Sequence, residues 1–186
     1  TTETIFLAVF GYFFLKEKIN LITFISIIFG MSGVLLILGS SLSIQSNEQF
    51  IGNIVAFLAP ISFAILIIII RKSPNVDMVP AQFIAGVFSA ILAYLIASNL
   101  SISPHDLFLA SLSGFFQIGF GFILITIGSQ TTPSAVVGVL MLTEAVFGPL
   151  WAWLFINEIP PTSVLIGGGI IIFSILLQSF YNKKNH

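Results

Sequence analysis

Cysteine is absent from this sequence of 186 residues, and charge is nearly so, with 7% charged residues against 57% hydrophobic. The missing cysteine excludes disulfides, cysteine nucleophiles and thiolate metal sites. The scarce charge excludes an ordinary soluble domain, in which about 25% of residues are charged. No soluble core can bury this much apolar side chain in a chain of this length. Six basic residues against seven acidic ones leave no electrostatic footprint for nucleic acid. What remains is a membrane protein, with the lipid bilayer as its solvent.

Apolar runs fall at about 20–41, 51–70, 80–98, 107–128, 134–157 and 162–181, each long enough to cross a bilayer as a helix. Pro74, Pro80, Pro104, Pro133 and the Pro160–Pro161 pair punctuate the gaps. Pro133, following Thr131 and Thr132, reads as a capped helix start with proline in the first position. An earlier run, roughly 4–15, is too short to span alone. It is expected to be the end of a helix that begins upstream.

All six basic residues fall on one side of this topology. Lys16 and Lys18, Arg71 and Lys72, and Lys183 and Lys184 are separated by even numbers of crossings, whereas the loops 42–50, 99–106 and 158–161 carry none. Chance gives that pattern about one time in thirty when both sides are equally open to Lys and Arg. The C-terminus is therefore expected in the cytoplasm, in a multi-pass plasma or inner membrane protein.

A sixteen-residue stretch occurs twice without a gap, TETIFLAVFGYFFLKE at 2–17 and TEAVFGPLWAWLFINE at 143–158. Glu3 then matches Glu144, and Glu17 matches Glu158. Five crossings separate the copies, so they are expected to point in opposite directions, as in the inverted-repeat architecture of many secondary transporters.

The segment TEAVFGPLWAWLFINEIPPTSVLIGGGIII resembles the signature region of EamA-type transporters in the drug/metabolite transporter superfamily, and TETIFLAVFGYFFLKEKINLITFISIIFGMSGVLLI resembles the same region of the first repeat. The resemblance implies an all-α polytopic bundle with a five-plus-five inverted-repeat fold, of which about six and a half helices are present. Residues 1–41 would end the first repeat, 42–50 would form an external linker, 51–181 the complete second repeat and 182–186 a cytoplasmic tail. Asn157 stands where glycine often precedes the terminal Glu of such proteins, and Ser26 where the first repeat carries glycine.

An intramembrane carboxylate is costly, and such groups face a bundle interior or a watery cavity. Glu144, near the middle of its span, is the leading candidate for contact with a proton or an amine-bearing substrate; an interhelical hydrogen bond is the alternative. Glu3 takes the same assignment by the repeat. Pro149 frees the carbonyl of Ala145 and offers either a functional kink or a packing kink; Pro60 is a second such position. Gln117 shares a small, polar stripe with Ser113, Gly121 and Gly128, expected to face other helices and to bind substrate or bridge helices. Trp151 shares a face with Glu144 and Gly148, suited to walling a cavity or to the interfacial belt, which also suits Trp153. Gln82 and Asn53 lie near helix ends. Glu17 and Glu158 are assigned to gating or helix-end hydrogen bonds. Ala81, Ala85, Ser89, Ala93 and Ala97 form a close-packing or sliding stripe.

An intramembrane enzyme is the main alternative. Asp77 and Asp106 flank one span on opposite sides, as do His105 and His186 the membrane, and no nucleophile–base pair or metal-ligand spacing appears. A non-transporting scaffold leaves the repeated Glu unexplained. The expected function is export of a small metabolite such as an amino acid by alternating access, without cofactor or metal. No nucleotide-binding motif points to ATP coupling, so a proton or substrate gradient is the expected driver. A homodimer stays open.

Overall fold

The computed structural model describes residues 2–39, 55–97 and 101–184. Among these, the regular structure is helical: α1 Glu3–Leu15, α2 Leu21–Gly39, α3 Leu58–Lys72, α4 Val79–Ile96, α5 Pro104–Leu112, a π-helical segment Ser113–Phe120, α6 Gly121–Thr131, α7 Ser134–Met141, α8 Thr143–Ile156 and α9 Thr162–Lys184. Four continuous stretches are long and apolar enough to cross a membrane: Val79–Ile96, Pro104–Thr131, Ser134–Ile156 and Thr162–Tyr181. The protein is thus an all-α polytopic membrane bundle. The linker 42–50, Asn53 and His186 lie outside the described residues. Helix α9 runs on to Lys184, past the end of its membrane span at Tyr181.

The chain divides into two compact units, 1–69 with 132–186, and 70–131. In the first, α2 and α9 form the closest pair. Without a hydrophobic drive between helices in lipid, small residues that let backbones approach supply the packing. Gly33 and Gly167 do so here: a Cβ on either would lie 2.6 Å from the other's carbonyl oxygen. Deeper in the same seam, Ser174 Oγ donates to the Ser26 carbonyl at 2.6 Å, and Phe29 meets Phe173 edge-on at 5.6 Å. Ser26 facing Ser174 and Gly33 facing Gly167 make the helices antiparallel. Lys16 and Lys18, just ahead of α2, therefore share one end of this unit with the end of α9.

Those two contacts are related to each other. The 141-residue offset of the repeat carries Ser26 onto Gly167 and Ser174 onto Gly33. Exchanging the repeats turns one contact into the other, so the α2–α9 seam straddles a local pseudo-twofold axis.

Helix α1 lies against α7. Its buried residues Thr4, Leu7, Ala8 and Gly11 keep the spacing of one helical face, and Thr4 Oγ1 donates to the Gly138 carbonyl at 2.8 Å. All six residues of α7 from Ser134 to Val139 are buried. Ala8, Ile27, Ala135 and Val139 form one apolar cluster, and Val34, Leu142 and Ile171 another.

In the second unit, Arg71 at the end of α3 donates to the Gln130 carbonyl in the last turn of α6 at 2.6 Å. A cation there satisfies a terminal carbonyl and complements the helix dipole. Gln130 Nε2 donates to the Val76 carbonyl at 3.0 Å, so the α3–α4 turn is tied to the end of α6. No residue of α4 is buried. The stripe from Ala81 to Ala97 is exposed among the described residues; contact with α6 runs through Gln82 Nε2, which donates to Thr126 Oγ1.

Candidate functional site

The two copies of the repeated segment fold alike. Both are helical, over Glu3–Leu15 in α1 and Thr143–Ile156 in α8. Each copy ends in the same backbone conformation, φ 56° and ψ 28°, at Lys16 and at the matching Asn157. These are the only non-glycine residues with positive φ among the described residues. The following N–H then turns back, Glu17 to the Gly11 carbonyl at 3.1 Å and Glu158 to the matching Ala152 carbonyl at 3.4 Å. A left-handed residue at this point explains why glycine is often found before the terminal Glu, and why asparagine is tolerated. Asn157→Gly and Lys16→Gly are each expected to stabilise the protein, lysine more than asparagine and by about 1 kcal/mol, read as a rise in the thermal unfolding midpoint in detergent.

The span that carries Glu144 runs from Ser134 to Ile156 and tightens by one turn at Leu142, between α7 and α8, where the backbone keeps right-handed helical angles of φ −61° and ψ −16°. Leu142 N–H bonds to the Val139 carbonyl at 3.2 Å and Ala145 N–H to the Leu142 carbonyl at 3.1 Å, the tighter i to i−3 pattern that marks a local 3₁₀ turn. Thr143 Oγ1 donates to the Leu140 carbonyl. The tightened turn lies at Leu142, and Pro149 sits inside α8. Pro60 lies three residues after a turn at Phe57, with residues 55 and 56 helical ahead of it.

Glu144 is exposed, and Glu3 is half-buried. Below each runs an aromatic ladder at matching positions. Phe6, Phe10 and Phe14 follow Glu3, with ring centroids 5.9 and 5.7 Å apart. Phe147, Trp151 and Phe155 follow Glu144, at 6.3 and 5.6 Å. Trp151 is therefore one rung of a repeated pattern whose other rungs went unremarked in the sequence. Their signal was present as aromatics three, seven and eleven residues after each Glu. Trp153 is exposed and off this ladder.

Gln117 lies in the π-helical segment, in the second unit. π-helical turns are rare and often mark functional positions. Its wide turns re-phase the helix around Ser113 and Gln117. A Cβ at Gly121 or Gly128 would meet nothing within 4 Å among the described residues, and Ser113 and Gln117 are exposed.

Glu17 makes the interaction between α1 and α7 that sequence spacing did not reveal. Its Oε2 accepts the Ser134 N–H at 2.8 Å, so the free amide at the start of α7 is capped by a carboxylate from another helix. The expected local cap by Thr131 and Thr132 is not used; Pro133 is the N-cap and makes no side-chain hydrogen bond. Glu158 is exposed. Asp77 and Asp106 are helix-start groups: Asp77 Oδ1 accepts Val79 N–H at 3.0 Å, and Ser103 Oγ accepts Asp106 N–H at 3.0 Å. Beside Glu17 lies a cleft of about 70 Å3 bordered by Tyr12, Lys18, Asn20, Thr23 and Pro133. Buried polar groups at Ser26, Ser174 and Gln178 complete the polar interior of this unit.

Membrane-spanning helices and a duplicated segment with an acid at the head of each copy define a polytopic membrane protein built on an internal repeat. The model of the EamA-like transporter family matches residues 50–180, and the chain belongs to that family. It is 25% identical to an uncharacterized transporter of Methanothermobacter thermautotrophicus over 98% of this chain and 55% of the relative. It is 24% identical to an uncharacterized transporter of Clostridium kluyveri, over 98% and 62%. It is 29% identical to a protein of Rickettsia conorii named S-adenosylmethionine uptake transporter, over 97% and 60%. The chain thus spans 55–62% of the length of these relatives. No solved structure matches it significantly.

Proposed function

We propose that this chain forms part of a secondary transporter that moves a small, amino-acid-like metabolite by alternating access, with export as its direction and with a proton or substrate gradient as its driver. The observation that carries the reading is an exposed carboxylate within the span Ser134–Ile156, Glu144, above the ladder of Phe147, Trp151 and Phe155, an arrangement that Glu3 repeats above Phe6, Phe10 and Phe14. An ionisable group inside a membrane span marks a functional position by default. A carboxylate beside aromatic faces suits a cationic group such as an ammonium. The Rickettsia relative's name supports a substrate of this class, since S-adenosylmethionine is an amino acid bearing a sulfonium; its stated direction is uptake. Glu3 with Phe6, Phe10 and Phe14 supplies the matching half, Pro149 is assigned to the same path, and Gln117 is assigned to substrate contact on the sequence reading alone. The C-terminus is placed in the cytoplasm of a plasma or inner membrane, and a tag there reacting from outside intact cells would overturn that.

The full-length protein in proteoliposomes, assayed for counterflow of labelled amino acids and S-adenosylmethionine, tests the proposal. Glu144→Gln is expected to reduce transport at least 100-fold and Trp151→Ala about 10-fold. Undiminished transport by Glu144→Gln would remove the carboxylate from the mechanism. Opposite imposed gradients decide between export and uptake.

A further inference from the structure

We propose that the Glu17–Ser134 hydrogen bond is the latch that closes one end of the transport path, and that the α2–α9 seam is the axle on which the repeats turn. The proposal rests on the alternating-access reading above.

Helix α1 belongs to the first copy of the repeat, and α7 leads into the second. Any motion of one repeat against the other that opens this end must part them there. The contact is built for the purpose. The left-handed turn at Lys16 sends the chain back over α1, and Glu17 lands on Gly11. A Cβ at Gly11 would lie 3.0 Å from Glu17 Oε2 and 3.0 Å from Ser134 Cβ. Glycine therefore lets carboxylate and helix start meet, and the bond is charge-assisted. The cleft bordered by Tyr12, Asn20 and Thr23 lies directly beside it, so parting the latch would widen that cleft and bare its floor to the adjacent solution.

Symmetry separates the latch from the axle. A movement that exchanges the conformations of two repeats preserves contacts that the exchange maps onto each other. Ser26–Ser174 and Gly33–Gly167 are such a pair, and both are present at once. The Glu17–Ser134 contact lies away from that axis. Its image carries Glu17 to Glu158, the end of a helix of opposite direction, reached through the same left-handed cap at Asn157. Alternation requires that two such ends not be closed together, so Glu17 and Glu158 act in turn.

The absence of cysteine from this sequence makes the test direct. In full-length protein with any other cysteine removed, Gly11→Cys/Ser134→Cys and Ser26→Cys/Ser174→Cys are cross-linked by mild oxidation and assayed in proteoliposomes. The first cross-link is expected to lower transport at least 10-fold below its own reduced form, with recovery in dithiothreitol. The second is expected to retain more than half of its reduced-form activity. A functional 11–134 cross-link, or a 26–174 cross-link that stops transport, overturns the proposal. A second readout needs neither cross-link nor transport. Glu17→Ala is expected to raise labelling of a single cysteine at Asn20 by a membrane-impermeant maleimide about 10-fold, and an unchanged rate overturns the latch. If labelling responds while no substrate moves in the unsubstituted protein, the latch stands and the transport reading fails.

Discussion

Gly33→Val is expected to leave little folded protein after extraction into detergent. The first atom of the new side chain would lie 2.6 Å from the Gly167 carbonyl oxygen, 2.8 Å from Ile171 Cγ1 and 3.3 Å from Ile171 N. Two of these are backbone atoms of α9, which cannot swing aside as a flexible side chain would. Overpacking of this sort costs about 1–3 kcal/mol and sometimes more, and two γ-methyl groups put valine at the upper end. That is a large part of a typical 5–15 kcal/mol of total stability. Gly167→Val is expected to act alike, since its Cβ would meet the Gly33 carbonyl at 2.6 Å and Ile37 Cγ1 at 2.7 Å. The double variant is expected to lose less than the sum, because a seam forced apart once has room for the second side chain. Gly86→Val provides the contrast: nothing lies within 4 Å of a Cβ there, and a change under about 1 kcal/mol is expected. Size-exclusion profiles after a temperature series separate these outcomes. Equal losses from Gly33→Val and Gly86→Val would mean that helix propensity, not the seam, sets the cost.

Gly30→Ala and Leu142→Ala are each expected to destabilise the protein, and together to restore part of what each removes. Leu142 is fully buried, and its Cδ1 would be 2.2 Å from a Cβ at Gly30. That atom ends a flexible side chain, but Val34 and Ile171 pack around the same leucine and leave it little freedom. Removing the leucine side chain opens a cavity, at about 2–5 kcal/mol; the alanine methyl at position 30 refills part of it. A double-mutant cycle on the unfolding midpoint is expected to show favourable coupling of about 1 kcal/mol or more. Simple additivity would show that Leu142 is held by something other than its fit over Gly30.

Leu142 also marks a boundary of what sequence reveals. The spans follow from apolar runs because a bilayer demands about 20 such residues whatever their partners. The repeat survives into three dimensions down to two left-handed residues at matching positions, because a local backbone preference travels with the local sequence. The tightened turn at Leu142 left no such mark, because neither glycine nor proline stands there; Leu142 packs with Val34 of α2 and Ile171 of α9, partners distant in sequence.

Partners far apart in sequence were equally hidden. The cap of Ser134 comes from a residue 117 positions away, whereas Thr131 and Thr132 offered a local cap that the chain does not use. Ser26 and Ser174, 148 positions apart, look like ordinary substitutions in apolar helices until they meet. The π-helical stretch Ser113–Phe120 was hidden too, because its pitch leaves no mark in the hydrophobic pattern.

The α2–α9 seam has a consequence for how the protein is made. Ser26 is translated 148 residues before Ser174, or roughly 7–30 s at ribosomal rates of about 5–20 residues per second. During that interval α2 resides in the bilayer with its glycine groove and serine facing lipid or an insertion chaperone. A nascent chain interrupted before α9 emerges presents that unfinished surface to quality-control proteases, which can distinguish incomplete from complete protein without inspecting any other part of it.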